Sequence, residues 1–357
     1  MSLVGHLRTS QRVASVMETD EHRFMLIDDT IVGCEHREPS VRHQIAFSAM
    51  ALMASLVYLS PPPSSALCLG LGAGTVPRHL RASGIRTDVV EVDEAVIRLA
   101  EQHFLFGAPS VNGGGVNMGR VLHDDALRLV AAGPAEGADG RYDLVLSDLW
   151  DGANEGRSLS RAFFVQLRES WLRPGGVLAV NLLAFVHGPH IALAVNVART
   201  LRAVFTHVQV FVEHDPVGAS ADDDSEPANL LLLASEAPLA HSTPPLSGVD
   251  GEAALDGSME HLFAHFEAWQ PARLRAAADG LEGTILEKEA DWVALLPERI
   301  AVNSGMRAQQ RPLLSAEAWA SIASLLEEAE ETPPRKLGGR APAPRAPQSP
   351  ASTKEEL

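Results

Sequence analysis

The chain has 357 residues, 46% apolar and 21% charged, with a formal net charge of −17. These are the proportions of one large or two small globular domains with a real core. The acidic balance argues against nucleic acid as the main partner, because duplex binding needs a basic footprint. Two cysteines, Cys34 and Cys68, lie far apart in sequence. They give neither a metal-ligand spacing nor a disulfide framework, which fits a reducing, cytoplasmic setting. The first thirty residues lack a basic-then-apolar leader pattern. No apolar run reaches the roughly 18 residues of a bilayer span, so no membrane partner is expected. The final KEEL resembles a retrieval signal, but without an entry signal it reads as an acidic tail end.

Residues 11–35 alternate weakly and predict two or three short strands or a hairpin, within an N-terminal unit of residues 1–39. Residues 40–58 predict a mostly apolar helix ended by the prolines at 61–63. A repeating pattern then begins. Strand 66–72 precedes helix 75–83, strand 87–93 precedes helix 94–105, and strand 119–124 precedes helix 125–132. Strand 142–148, helix 160–171, strand 177–183 and helix 189–204 continue it, followed by strands 207–213 and 229–235 with no helix between them. Alternating strands and helices predict a parallel sheet covered on both faces, and the last two strands predict an antiparallel edge hairpin. Residues 237–257 read as a Ser/Pro/Gly-rich linker, 258–331 as a helical extension, and 332–357 as a disordered tail.

The chemistry is carried by the strand ends. "LCLGLGAGTVPRHL" (67–80) places Gly70, Gly72 and Gly74 where a strand turns into a helix. Such glycines allow close approach to an adenosine cofactor, or a tight turn for steric reasons alone. A dinucleotide fingerprint wants a third glycine where this chain has Thr75, which disfavours a nicotinamide reductase. Glu91 ends the second strand, 21 residues after Gly70. An acid there can accept hydrogen bonds from both ribose hydroxyls, while Asp93 suits a helix N-cap. In "HDDALRLV" an acid can take the exocyclic amine of adenine, Asp125 in preference to Asp124, or cap the helix that follows. Asp148 and Asp151 close the fourth strand, where an open α/β sheet places its active site. A carboxylate there can orient an amine and take its proton as it attacks carbon next to a sulfonium. Trp150, His187 and His190 are weaker candidates for the acceptor side.

In order and spacing, "LCLGLGAGT", "VVEVDEAVIRLAEQHF", "DDALRLV", "YDLVLSDLWDG" and "FFVQLRESWLRPGGVLAVNLL" resemble class I S-adenosylmethionine-dependent methyltransferases. "EVDEAVI" and the Asp125-Ala126 pair are similar to the spermidine-synthase-like branch, which includes aminopropyltransferases and the methyltransferase-like proteins that modify elongation factor 1A. The resemblance covers about residues 40–236. It implies a doubly wound, Rossmann-like, seven-stranded sheet with an antiparallel edge hairpin. It also implies S-adenosylmethionine as cofactor, held by Gly70, Leu71, Gly72 and Gly74, by Glu91 at the ribose, and by Asp125-Ala126 at the adenine. Asp148, with Asp151, would stand at the reacting centre. The departures lie on the acceptor side. The upstream helix reads "SVRHQIAF" without the tyrosine of the aminopropyltransferase motif, and "DLWDGANEG" lacks its proline. The sequence therefore favours methylation of an amine, of a protein or a small molecule, over aminopropyl transfer or a non-catalytic cofactor-binding role. The N-terminal strands and C-terminal helices are candidates for a homodimer interface or a substrate platform.

Overall fold

Side chains along the central strands point alternately to two faces, and both faces are buried. In β5 (Ser65–Leu69), Leu67 and Leu69 join one core while Ala66 and Cys68 join the other. This is the period-two pattern of a sheet covered on both sides. The computed structural model describes residues 2–8, 12–42, 45–107, 119–134, 141–149, 156–185, 190–212, 227–239, 286–287, 295, 301–302 and 306–331.

Two sheets organise the chain. The N-terminal one is a four-stranded antiparallel meander of β1 (Ser2–Arg8), β2 (Val13–Glu18), β3 (His22–Ile27) and β4 (Thr30–His36). The sequence pattern predicted only two or three of these strands. β1 was missed because it is an edge strand whose alternate residues face solvent and which carries a glycine, Gly5.

The second sheet contains β5, β6 (Arg86–Glu91), β7 (Val121–His123), β8 (Tyr142–Ser147), β9 (Leu172–Ala184), β10 (His207–Val212) and β11 (Ala228–Ser235). Its order is β10-β11-β9-β8-β5-β6-β7. β5 to β9 pair in parallel, while β11 runs antiparallel to both β9 and β10. The predicted seven-stranded, mostly parallel sheet with its antiparallel hairpin is therefore the fold observed. The order reverses direction between β5 and β8, and at such a switch point the carboxyl ends of the strands open a crevice.

On one face lie α1 (Ser48–Ala54), α2 (Thr75–Ala82), α3 (Glu94–His103) and the inner side of the N-terminal sheet. The other carries α4 (Ala126–Ala132), α5 (Arg161–Gln166, continued by one π-helical turn to Trp171) and α6 (Ala192–Arg202). The helix predicted over 40–58 is only α1 and a short 3₁₀ turn, Ser55–Tyr58. Tertiary contacts override the local pattern. Arg42 reaches Glu35 and the His103 carbonyl, and Phe47 stays extended with its ring 6.4 Å from that of Phe24.

Helix α7 (Ala316–Glu331) covers the outer side of the N-terminal sheet, where Met17, Phe24, Leu26 and Ile31 meet Leu314, Ala318 and Ile322. Most of the linker expected at 237–257, most of the helical extension before residue 306 and the tail at 332–357 lie outside the described residues.

Two acids, buried Asp88 and half-buried Asp143, tie the amino-terminal edge of the large sheet. Asp88 accepts from the Arg120 N–H and guanidinium and from the Tyr142 hydroxyl at 2.7 Å, which gives that tyrosine a structural place. Asp143 Oδ2 accepts from the N–H and hydroxyl of both Ser64 and Ser65, and Oδ1 from Arg173. Burial pushes the Asp143 carboxyl up, but these donors outweigh it and bring it to about 2. A carboxyl depressed by folding stabilises the fold above its unfolded pKa, and that stability is lost as pH falls toward the folded value. Asp143→Asn is expected to lower stability by about 1–2 kcal/mol at pH 7. In urea unfolding, the gap from the native chain should narrow as pH falls from 5 toward 2.

Candidate active site at the strand ends

Four strand ends converge. Gly70 donates its N–H to the Val90 carbonyl at 2.8 Å, and Asp148 donates its N–H to the Leu69 carbonyl at 2.9 Å. Asp124 N–H reaches the Glu91 carbonyl at 3.0 Å. These bonds carry the pairing of β6, β5, β8 and β7 one step past the strands proper, so Gly70, Asp148, Glu91 and the Asp124-Asp125 pair share one edge.

The glycine loop fits there only without side chains. Gly70, Gly72 and Gly74 all have positive φ, at 100°, 52° and 75°. A Cβ on Gly70 would stand 2.3 Å from the Asp148 carbonyl oxygen, and one on Gly72 would stand 2.7 Å from the Val32 carbonyl oxygen. On Gly74 it would enter the Phe106 ring. The sequence offered two reasons for these glycines, ligand approach and tight turning. The structure adds a third, close contact with the protein's own backbone.

Glu91 binds the loop from below. One carboxylate oxygen accepts from Leu71 N–H at 3.0 Å and the other from Asp93 N–H at 2.9 Å. The side chain is only 8% exposed. Burial pushes its carboxyl up, and the backbone N–H groups of Asp93, Leu71 and Val92 only partly offset this. Each carboxylate oxygen has two acceptor sites, so these N–H groups leave the carboxylate with acceptor capacity. Asp93 caps α3 through Ala95 N–H at 2.8 Å. Between these acids Val92 is 65% exposed, an apolar side chain held at the crevice. An apolar residue bracketed by two acids at a strand end was a legible signal for it.

Asp125 is exposed, and its Oδ1 caps α4 through Leu127 N–H at 2.8 Å. Ala126 is buried in the core behind it. Asp124 pairs with Arg128 one turn on, and His123 Nε2 lies 3.1 Å from the Val92 carbonyl.

Asp148 is half-buried and lines a cleft of about 370 Å³ that includes its open mouth. Its walls also include Gly70, Leu71 and Ala73 of the loop, Val32 and Gly33 of β4, and Met50 and Met53 of α1. Asn181 Nδ2 donates to Asp148 Oδ1 at 2.9 Å. Burial pushes this carboxyl up, and the Asn181 bond pulls it back only in part. Sequence reasoning missed Asn181, although a lone amide in the apolar run "VLAVNLLA" marked it. Trp150, Asp151 and His187 lie outside the described residues. His190 sits against Phe185, ring centroids 5.4 Å apart, just past β9.

No family model matches the chain. Over 202 residues it is 30% identical to "Polyamine aminopropyltransferase 2" of Pseudomonas aeruginosa, a match that takes in 53% of this chain and 51% of that protein. Over 211 residues it is 28% identical to the human "eEF1A lysine and N-terminal methyltransferase", taking in 56% of this chain and 27% of that protein. The chain is thus similar in sequence both to aminopropyltransferases and to methyltransferases of the spermidine-synthase-like branch. Its matches span about half the length of the first relative and about a quarter of the second. The fold of this branch also appears in a probable spermidine synthase from Corynebacterium glutamicum, with a TM-score of 0.57 and 16% identity. That likeness covers 79% of this chain and 96% of that one.

Two loop glycines separate backbone strain from crowding. Gly84 has φ of 82° and open space around it, whereas Gly70 combines φ of 100° with the Asp148 backbone at 2.3 Å. Gly84→Ala is expected to cost about 1 kcal/mol, and Gly70→Ala about 3 kcal/mol or more, because backbone cannot swing aside. Thermal melting of the two variants checks the order.

Proposed function

We propose that this chain is a methyltransferase that uses S-adenosylmethionine and acts on an amine, with a protein amine favoured as acceptor. The observation that carries this reading is the half-buried Asp148 carboxyl, oriented by Asn181 beside the glycine loop. The methyltransferase relatives support the cofactor class, and the human relative, named for its action on eEF1A, supports the acceptor class.

The residues present fit an adenosyl-sulfonium compound. Glu91 offers a buried carboxylate with free acceptor capacity for the ribose hydroxyls, and exposed Val92 offers an apolar face for a base ring. Asp125 has a second carboxylate oxygen beyond its cap for the exocyclic amine, with Ala126 behind it. The loop from Gly70 to Gly74 walls the cleft toward the thioether side. When bound, the cofactor supplies an electrophilic carbon attached to a positively charged sulfur.

Asp148 then has two tasks. An amine attacks only through its lone pair, so it must arrive or become uncharged. A carboxylate next to it fixes the direction of that lone pair and accepts the proton that is shed. A carboxyl with raised pKa is the better base near neutrality. Asn181 holds Asp148 Oδ1 in one orientation, leaving Oδ2 for the amine. Asp151, three residues further along the sequence, is proposed as a second acid for the same acceptor.

A second reading is aminopropyl transfer from decarboxylated S-adenosylmethionine, favoured by the likeness to the Pseudomonas protein. Both readings use the same adenosyl-binding edge and differ in which carbon is transferred. The thioether product separates them. Labelled incubations with a cell lysate or with putrescine should release S-adenosylhomocysteine under the first reading and methylthioadenosine under the second. Release of neither, with no calorimetric binding of either cofactor, would overturn both.

Asp148→Asn is expected to reduce kcat by about 10²–10⁴-fold with little change in cofactor affinity. In the native chain the acid limb of the rate profile should lie above the ordinary carboxylate range, because burial raises the Asp148 pKa. Asn181→Ala removes the one opposing hydrogen bond and should move that limb to higher pH still.

A further inference from the structure

The cleft has a wall that does not come from the large sheet. β4 supplies Val32 and Gly33, and it touches the glycine loop at three successive residues. The Val32 carbonyl oxygen faces Gly72, with 2.7 Å to where a Cβ would stand. A Cβ on Gly33 would stand 2.4 Å from that of Ala73, and the Thr75 hydroxyl reaches the Cys34 carbonyl at 3.4 Å. Contacts this close mean that the position of β4 fixes the position of the loop. Yet β4 is the last strand of its sheet, pairing only with β3, so its outer backbone groups need another partner.

That partner is one side chain from far along the sequence. Gln310 Oε1 accepts from Ile31 N–H at 2.8 Å, and Gln310 Nε2 donates to the Ile31 carbonyl at 2.9 Å. The amide thus imitates the paired bonds of a neighbouring strand. Its own segment is tied at two more points. Arg307 pairs with Asp29 at 3.1 Å, and Gln309 Nε2 donates to the Pro227 carbonyl at 2.9 Å. Pro227 immediately precedes β11, whose first residue, Ala228, pairs with Ala184 at the carboxyl end of β9. The strap from Met306 to Gln310 therefore runs from the turn before β4 to the same sheet edge that holds Asp148.

We infer that Gln310 is a positioning residue for the cofactor cleft. It holds the edge of β4 so that Val32 and Gly33 press the Gly72-Ala73 backbone into its binding shape. The ligand class, an adenosyl thioether or sulfonium, rests on the function proposed above. The mechanical coupling between residue 310 and the loop does not.

The experiment compares Gln310→Ala and Gln310→Glu with Ile322→Ala, a control that loosens α7 over the cluster containing Ile31 but keeps the Gln310 amide and both its bonds to the Ile31 backbone. Calorimetry with S-adenosylhomocysteine and with methylthioadenosine reads the cleft, and hydrogen–deuterium exchange of the unliganded protein reads the loop. Gln310→Ala should weaken whichever compound the native chain binds by about fivefold, the equivalent of one lost hydrogen bond. It should also speed exchange over residues 31–34 and 70–75. Gln310→Glu keeps the acceptor for Ile31 N–H but sets a carboxylate against the Ile31 carbonyl, so it should be no better than alanine. Ile322→Ala should lower the melting temperature while leaving affinity and loop exchange as in the native chain. Equal effects from Ile322→Ala and Gln310→Ala, scaling with melting temperature, would overturn the inference. So would unchanged loop exchange in Gln310→Ala. If the native chain binds neither compound, the functional reading fails, and the exchange comparison alone decides the coupling.

Discussion

The loop from Gly70 to Gly74 has no spare room, and the rest of the site is built around that. Its three positive-φ glycines touch the Asp148 carbonyl, the Val32 carbonyl and the Phe106 ring, so backbone meets backbone where any side chain would intervene. The loop is consequently held by the protein itself before a ligand arrives. Preorganisation of this kind lowers the ordering cost of binding. It also explains why the acid at the end of the neighbouring strand matters twice. Glu91 fastens Leu71 and Asp93 by their N–H groups and still faces the crevice.

The two edges of the large sheet treat carboxyls in opposite ways. At the amino-terminal edge, Asp88 and Asp143 are surrounded by donors, which outweigh burial and depress both carboxyls. At the carboxyl-terminal edge, burial outweighs the donors on Glu91 and Asp148 and raises both. The difference has a chemical use. Fully satisfied acids lock strands together and give nothing to a ligand, whereas an under-satisfied one retains both basicity and acceptor capacity.

The N-terminal sheet joins these parts into one unit. Its inner face packs Ala14, Val16 and Met25 against the core beside α3, and its outer face packs Met17, Phe24 and Leu26 under α7. Buried Glu35 accepts from Arg42 and from Leu105 N–H at 2.8 Å, and Arg23 reaches the His103 carbonyl, which anchors the sheet to the end of α3. Every strand except the solvent-facing β1 is thereby buried on both sides, as a meander of this length needs for stability.

The large sheet was legible because its signal is local. "ALCL", "TDVVE", "YDLVL", "VLAVNLL" and "NLLLLA" alternate or run apolar between turn residues, and each became a strand, although β5 stops at Leu69, short of the expected 72, and β9 begins at Leu172, ahead of the expected 177. The glycine spacing and the acids at 91, 125 and 148 were equally readable, because strand-end positions follow from the same periodicity. Four features were not legible: the late start, at Ser48, of the helix expected over 40–58, the edge strand β1, Asn181 on Asp148, and Gln310 on Ile31. Each depends on partners that chain order does not reveal; Gln310 and Ile31 are 279 residues apart. By itself the sequence determined the α/β alternation, the glycine turn after β5 and the acids at the strand ends, since hydrophobic period and turn chemistry act over a few residues. Only the tertiary structure decided which donors reach those acids and which strand closes the cleft, since burial and long-range hydrogen bonds exist only once the chain has folded.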